Sequence, residues 1–177
     1  NYALIDDDGR VLGVHRLVGT LVRERLAESE RKQWADAAIK MIVCAVRFDS
    51  HDLSSWERCA ELLPHALACA WHAEANNVAP RATIGVLDDA GRYLMKRAQY
   101  NEAKGLFDRA LALASRFYGE THPQVSAIAN NLGRVHRQLG NLQDARACLE
   151  RSIAIDQEVY GEGDPHLGAV FNNYGIV

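Results

Sequence analysis

Large apolar residues fall at helical spacing over most of the chain, and from Leu87 onward the spacing repeats. Leu87, Leu94, Tyr100, Phe107 and Leu111 are the large apolar positions of one unit, and Leu132, Leu142, Leu149 and Ile153 those of the next. Recurrence every three to four residues predicts helices with one buried face. A shift of 42 residues superposes Gly91 on Gly133 and Gly175, Ala103 on Ala145, and Arg109 on Arg151. The same shift lays Tyr118-Gly119-Glu120 on Tyr160-Gly161-Glu162, Pro123 on Pro165, and Asn130-Asn131 on Asn172-Asn173. One helical hairpin is thus written twice and begun a third time.

The conserved spacing of small residues has a packing reason. Two antiparallel helices approach closely only where small side chains face each other, which Gly91 and Gly133 on the first helix and Ala103 and Ala145 on the second provide. A single hairpin cannot bury both faces, so the units must stack. Pro80 suits a first helical position, where the missing N–H is not needed. Gly119 and Gly161 stand where a helix end needs a left-handed residue, and Asp164 is placed to cap the helix that Pro165 begins.

The residues before the repeat carry different patterns. Tyr2 to Ile5 and Val11 to His15 read as two strands about an Asp-Gly turn. Leu17, Val18, Leu21, Val22 and Leu26 then mark an amphipathic helix. Trp34, Ala38, Met41, Ile42 and Ala45 form the apolar stripe of a second helix. A third begins at a capping box, Ser54 with Glu57, and carries Trp56, Leu62, Leu63, Leu67 and Trp71, whose indoles are expected to cover the first true repeat. Pro64 inside it is expected to kink it.

The 42-residue unit resembles the tetratricopeptide repeat. The family's small residue falls on Gly91 and Gly133, its early alanine of the second helix on Ala103 and Ala145, its aromatic on Phe107 with Leu149 in the next copy, and its later alanine on Ala110. Ser152 replaces that last alanine, and Leu94 and His136 stand where the family usually has an aromatic. The common period is about 34 residues; the longer unit with its Tyr-Gly-x-x-x-Pro connection resembles the kinesin-light-chain variety. The resemblance implies an all-α, right-handed solenoid of tetratricopeptide hairpins. Val14 to Val18 resembles the closing motif of the winged-helix domain in NB-ARC signalling ATPases of the STAND class, where a histidine meets the β-phosphate of bound ADP. His15 is the matching residue. This likeness implies a short β-hairpin plus helix as a winged-helix remnant over residues 1–29. A degenerate linking hairpin would follow over 30–79, and tetratricopeptide repeats, two complete and a third truncated, over 80–177.

Composition narrows the function classes. A net charge of −3 and a pI of 6.2 give no basic footprint for nucleic acid. No apolar run is long enough for a membrane helix and no secretory leader precedes Asn1, so a cytoplasmic protein is expected. Cys44, Cys59, Cys69 and Cys148 contain no CxxC pair and read as buried, reduced thiols. His65, Cys69 and His72 share one helical face, yet zinc structural sites use four ligands, so packing is the expected role. No GxxxxGK[ST] loop occurs, which leaves ATP or ADP to a longer parent protein and predicts no cofactor for this chain. Neither a nucleophile with its base nor paired carboxylates stand on a rigid frame, so a non-enzyme is expected.

Binding chemistry is expected on the concave face. In such a stack the first helices line the groove, and equivalent residues form the columns Asp88, Asn130, Asn172; Asp89, Asn131, Asn173; Arg92, Arg134; and Met95, Arg137. Asparagine can donate to and accept from a peptide backbone, and arginine can hold a carboxylate in bidentate fashion. Two readings of these polar columns stand side by side: contact with a protein or peptide ligand, or solvation and capping of neighbouring units. The open end of the repeats offers a further surface for self-association. Two functions follow, a sensor module of a STAND ATPase and a constitutive scaffold that assembles partners without nucleotide switching.

Overall fold

The computed structural model describes residues 5–7, 12–14, 20, 22, 24–45, 56–162, 164 and 166–175. Strands β1 (Ile5–Asp7) and β2 (Leu12–Val14) pair antiparallel, with Ile5 opposite Val14 and Asp7 opposite Leu12. Thr20, Val22, Glu24 and Arg25 are helical, and from Glu28 on seven helices follow among the described residues: α1 (Glu28–Ala45), α2 (Trp56–Ala75), α3 (Pro80–Lys96), α4 (Tyr100–Tyr118), α5 (Pro123–Gln138), α6 (Leu142–Tyr160) and α7 (His166–Tyr174). The hairpins α3/α4 and α5/α6 are the two repeats, and α7 is the first helix of the next.

The glycines predicted at the helix crossings are required there. A Cβ at Gly91 would lie 2.8 Å from Cε1 of Phe107, and one at Gly133 would lie 2.7 Å from Cγ of Leu149. Each large side chain of the second helix therefore sits directly on the glycine of the first. Leu87, Tyr93, Phe107, Ile128, Val135 and Leu149 are fully buried around these crossings. Leu142, expected inside, is 50% exposed because it opens α6 rather than crossing α5.

Helix ends follow the sequence with one difference. Pro80 and Pro123 open α3 and α5, and the Nδ1 of His122 accepts from the Gln124 amide at 3.1 Å. Gly119 and Gly161 have φ of 93° and 89°, as a position past a helix end demands, but ψ of 164° and 162°. That is not the compact left-handed helical region; it is an extended, positive-φ conformation that glycine almost alone adopts.

The N-terminal hairpin departs further. On α1 the buried residues are Ala35 and Ile39, whereas Trp34 and Met41 are two-thirds exposed. The stripe is rotated from its expected phase, because α1 meets α2 through small residues: Cys59, Ala66, Ala70 and Ala73 are the buried face of α2. Trp56 does cover the first repeat, meeting Tyr93 edge-on at 6.0 Å, but Trp71 is 59% exposed. α2 runs as one helix through Pro64. Ser54, His15 and Pro165, expected to begin the last helix after Asp164, lie outside the described residues. No two cysteines are joined by a disulfide, and of the four only Cys59 is fully buried, while Cys44 is exposed.

Among the described residues, first helices touch along the row α1, α3, α5, α7, with no comparable contact along α2, α4, α6. A stack pinched along one row curves toward it, which places the first helices on the inner side. Among the described residues no helix is long and apolar enough to cross a membrane.

Candidate partner-binding groove

The inner face carries every column residue named from the sequence, but they are not equally available. Asp88 and Asn131 are buried, Asp89, Arg92, Asn130, Arg134, Arg137 and Asn173 are half-buried, and Asn172 is exposed. Asn131 Nδ2 donates to Asp88 Oδ1 at 3.1 Å, and Asn173 Nδ2 donates to Asn130 Oδ1 at 2.9 Å. Each asparagine reaches back one repeat to the neighbouring column, making a ladder of side-chain bonds between first helices. These four residues hold repeats together, so the capping role applies to them.

The arginines divide in two. Arg92 Nε lies 3.5 Å from Asp88 Oδ2, and its other end pairs with Asp89. Burial works against this guanidinium, yet the two carboxylates raise its pKa above the ordinary value. Arg134 and Arg137 have no carboxylate partner among the described residues. Arg134 donates weakly to Asn131 Oδ1 at 3.3 Å, and the Nη1 of Arg137 is buried without a hydrogen bond. Burial, then repulsion from Arg137, lowers the pKa of Arg134. Two half-buried cations side by side without an anion form a natural seat for a carboxylate.

Further along the array, α1 and α3 enclose a cleft of 550 Å³ that Asp89 of the inner face helps to line. Its apolar walls are Ile42, Val43 and Val86, and its floor is kept low by Ala82 and Gly85, the latter with open space where a Cβ would be. This cleft was not anticipated from sequence; Ala82 and Gly85, small residues three apart on α3, were its one signal. Asp36 and Lys40, paired at 2.6 Å, edge it. The repeated Arg109 and Arg151 work on the other side, stitching units together: Arg109 binds Glu74 at 2.7 Å, and Arg151 binds Ser115 Oγ at 2.9 Å and pairs with Glu120.

His65, Cys69 and His72 do lie along one side of α2, but among the described residues no group of three or more histidines, cysteines or acids could hold a metal ion.

A tetratricopeptide repeat family profile matches residues 83–158 and again 125–177, together more than half of the chain. The chain belongs to the tetratricopeptide repeat family. Among solved structures this tetratricopeptide chain is similar to BtubC (BKLC) from P. vanneervenii, with a TM-score of 0.55 and 16% identity. The likeness covers 85% of this chain and 65% of that one, so it shows shared fold over part of a longer molecule. None of the curated proteins compared matches. Tetratricopeptide repeats are in general protein-interaction modules.

Proposed function

We propose that the inner groove binds an extended protein or peptide segment, with Arg134 and Arg137 gripping one of its carboxylates. The observation that carries this reading is the pair of adjacent, half-buried guanidiniums with no acidic partner. Asn172, exposed on α7, supplies a further amide for the ligand backbone. A segment long enough to run along the first helices would also reach the apolar cleft between α1 and α3. No catalytic role is assigned to this chain.

Resemblance at Val14 to Val18 supports a wider setting: a bacterial STAND-type ATPase, with a winged-helix remnant over 1–29, a linking hairpin over 30–79 and the repeats over 80–177, acting in the cytoplasm. Ligand binding would change how the repeats rest on the nucleotide domain and bias an ADP-held closed state toward an open one. In that longer protein His15→Ala is expected to speed ADP release; unchanged release removes His15 from the switch.

The groove is tested by affinity capture with the wild-type chain and an Arg134→Ala/Arg137→Ala variant. Asn130 is a poorer choice because it accepts from Asn173. A partner lost with the two arginines, while circular dichroism and urea midpoint stay unchanged, supports the groove. Retention indifferent to the substitutions moves the working surface elsewhere.

A further inference from the structure

A second cavity opens on the opposite side of α1 from the groove. It lies between α1 and α2 and has a volume of 290 Å³, just under the roughly 300–1,000 Å³ of small-molecule sites. Ala35 and Ala38 from α1 and Ala68 from α2 line it beside Leu26, Cys69 and His72, so small side chains leave the space between the two helices open. Trp34, 67% exposed, stands at its edge and offers an indole face.

Its charge is one-sided. Among the described residues Arg31 is the one lysine or arginine lining it, and no aspartate or glutamate does. The Nη1 of Arg31 donates to the Leu26 carbonyl at 3.3 Å, which steadies the guanidinium and leaves the rest of its fork open. Glu28, one turn back on the helix, is bonded to Lys32 at 2.6 Å and is held in its charged form first by that lysine and only weakly by Arg31. His65 and Asn76 add polar atoms at the rim.

We infer that this cleft is a binding site for a small aromatic carboxylate of one or two rings. A planar ring fits a gap between small side chains beside an indole better than a branched aliphatic group does, and gains edge or offset contact with Trp34. The carboxylate then completes the Arg31 fork, a charge-assisted pairing that a neutral ligand cannot make.

The test is isothermal titration of the 177-residue chain with indole-3-acetate, indole-3-acetamide and hexanoate, with quenching of tryptophan fluorescence as a second readout. Indole-3-acetate is expected to bind saturably, and the amide, hexanoate and an Arg31→Gln variant to show about tenfold weaker binding. Ala68→Leu fills the cleft from an exposed position and is expected to abolish binding with an unchanged circular dichroism spectrum, whereas Arg134→Ala/Arg137→Ala leaves it intact. Equal binding of acid and amide, binding that survives Ala68→Leu, or no saturable binding at millimolar ligand overturns the inference. So does sedimentation as a dimer that Ala68→Leu dissolves, since a second copy would then be the occupant.

Discussion

Asn131 on α5 donates its side-chain amide to the carboxylate of Asp88 on α3, across the joint between two repeats and with both residues buried. The bond is a register device, since sliding one first helix past the other by a single residue would bring a different pair together. Asn131→Ala leaves a buried carboxylate without its neutral donor and is expected to cost about 1–3 kcal/mol in urea denaturation. Asp88→Asn keeps an acceptor, as Asn130 does on the next rung, and is expected to cost well under that. Equal losses in the two variants would show that the rung itself contributes little.

The same carboxylate gives a pH signature. Burial raises the pKa of Asp88, against the opposing pull of Arg92 and the Asn131 bond. A folded-state pKa above the unfolded one means that the folded chain holds the proton more tightly. The associated stability is complete below the ordinary carboxylate range and is lost as pH rises through the folded value. Relative to wild type, Asp88→Asn is therefore expected to gain stability as pH rises through that window and to level off above it. A difference independent of pH between about 3.5 and 7 would contradict the assignment.

How far the chain was legible depended on what each residue packs against. The 42-residue period, the glycine crossings and the proline starts are consequences of local pattern and were readable from it. The ladder was not, because it joins residues 43 apart, one position off the repeat, and only the offset between stacked helices decides that Asn131 meets Asp88 rather than Asp89. Trp34 and Met41 misled because large apolar residues ordinarily mark the buried stripe, while α1 docks through Ala35 and Ile39. The distinction between Arg92, which is neutralised, and Arg134 with Arg137, which are not, likewise needed the positions of Asp88 and Asp89 in space.

Tyr93 joins the linking hairpin to the first repeat. Its hydroxyl donates to the Trp56 carbonyl at 3.2 Å and accepts from Arg97 Nη1 at 3.0 Å, while its buried ring meets the Trp56 indole. Tyr93→Phe keeps the ring and removes both bonds, for an expected loss of about 1 kcal/mol. Because the lost bond ties α2 down, hydrogen exchange should quicken in α2 more than in α5 or α6. Uniform acceleration across all helices would mean that the hydroxyl supports global stability and not this joint.

Glycine-to-alanine changes separate the two effects that a glycine has in a helix. Alanine is the better helix former by about 1 kcal/mol, so where space is open the change should stabilise. Gly105 on α4 is exposed and has nothing within 4 Å of the added Cβ, so Gly105→Ala is expected to raise stability by about 0.5–1 kcal/mol. Gly133 has the same propensity to gain, but its Cβ would meet Leu149 Cγ at 2.7 Å and the Ala145 carbonyl oxygen at 3.2 Å. Cγ is the branch point of a fully buried side chain and cannot swing aside, so overpacking of about 1–3 kcal/mol outweighs propensity. Gly133→Ala should destabilise, and in the background of Leu149→Ala, which removes the obstructing atoms, it should cost much less. A double-mutant cycle by urea denaturation measures that coupling; additive effects would mean that α5 and α6 simply move apart at the crossing.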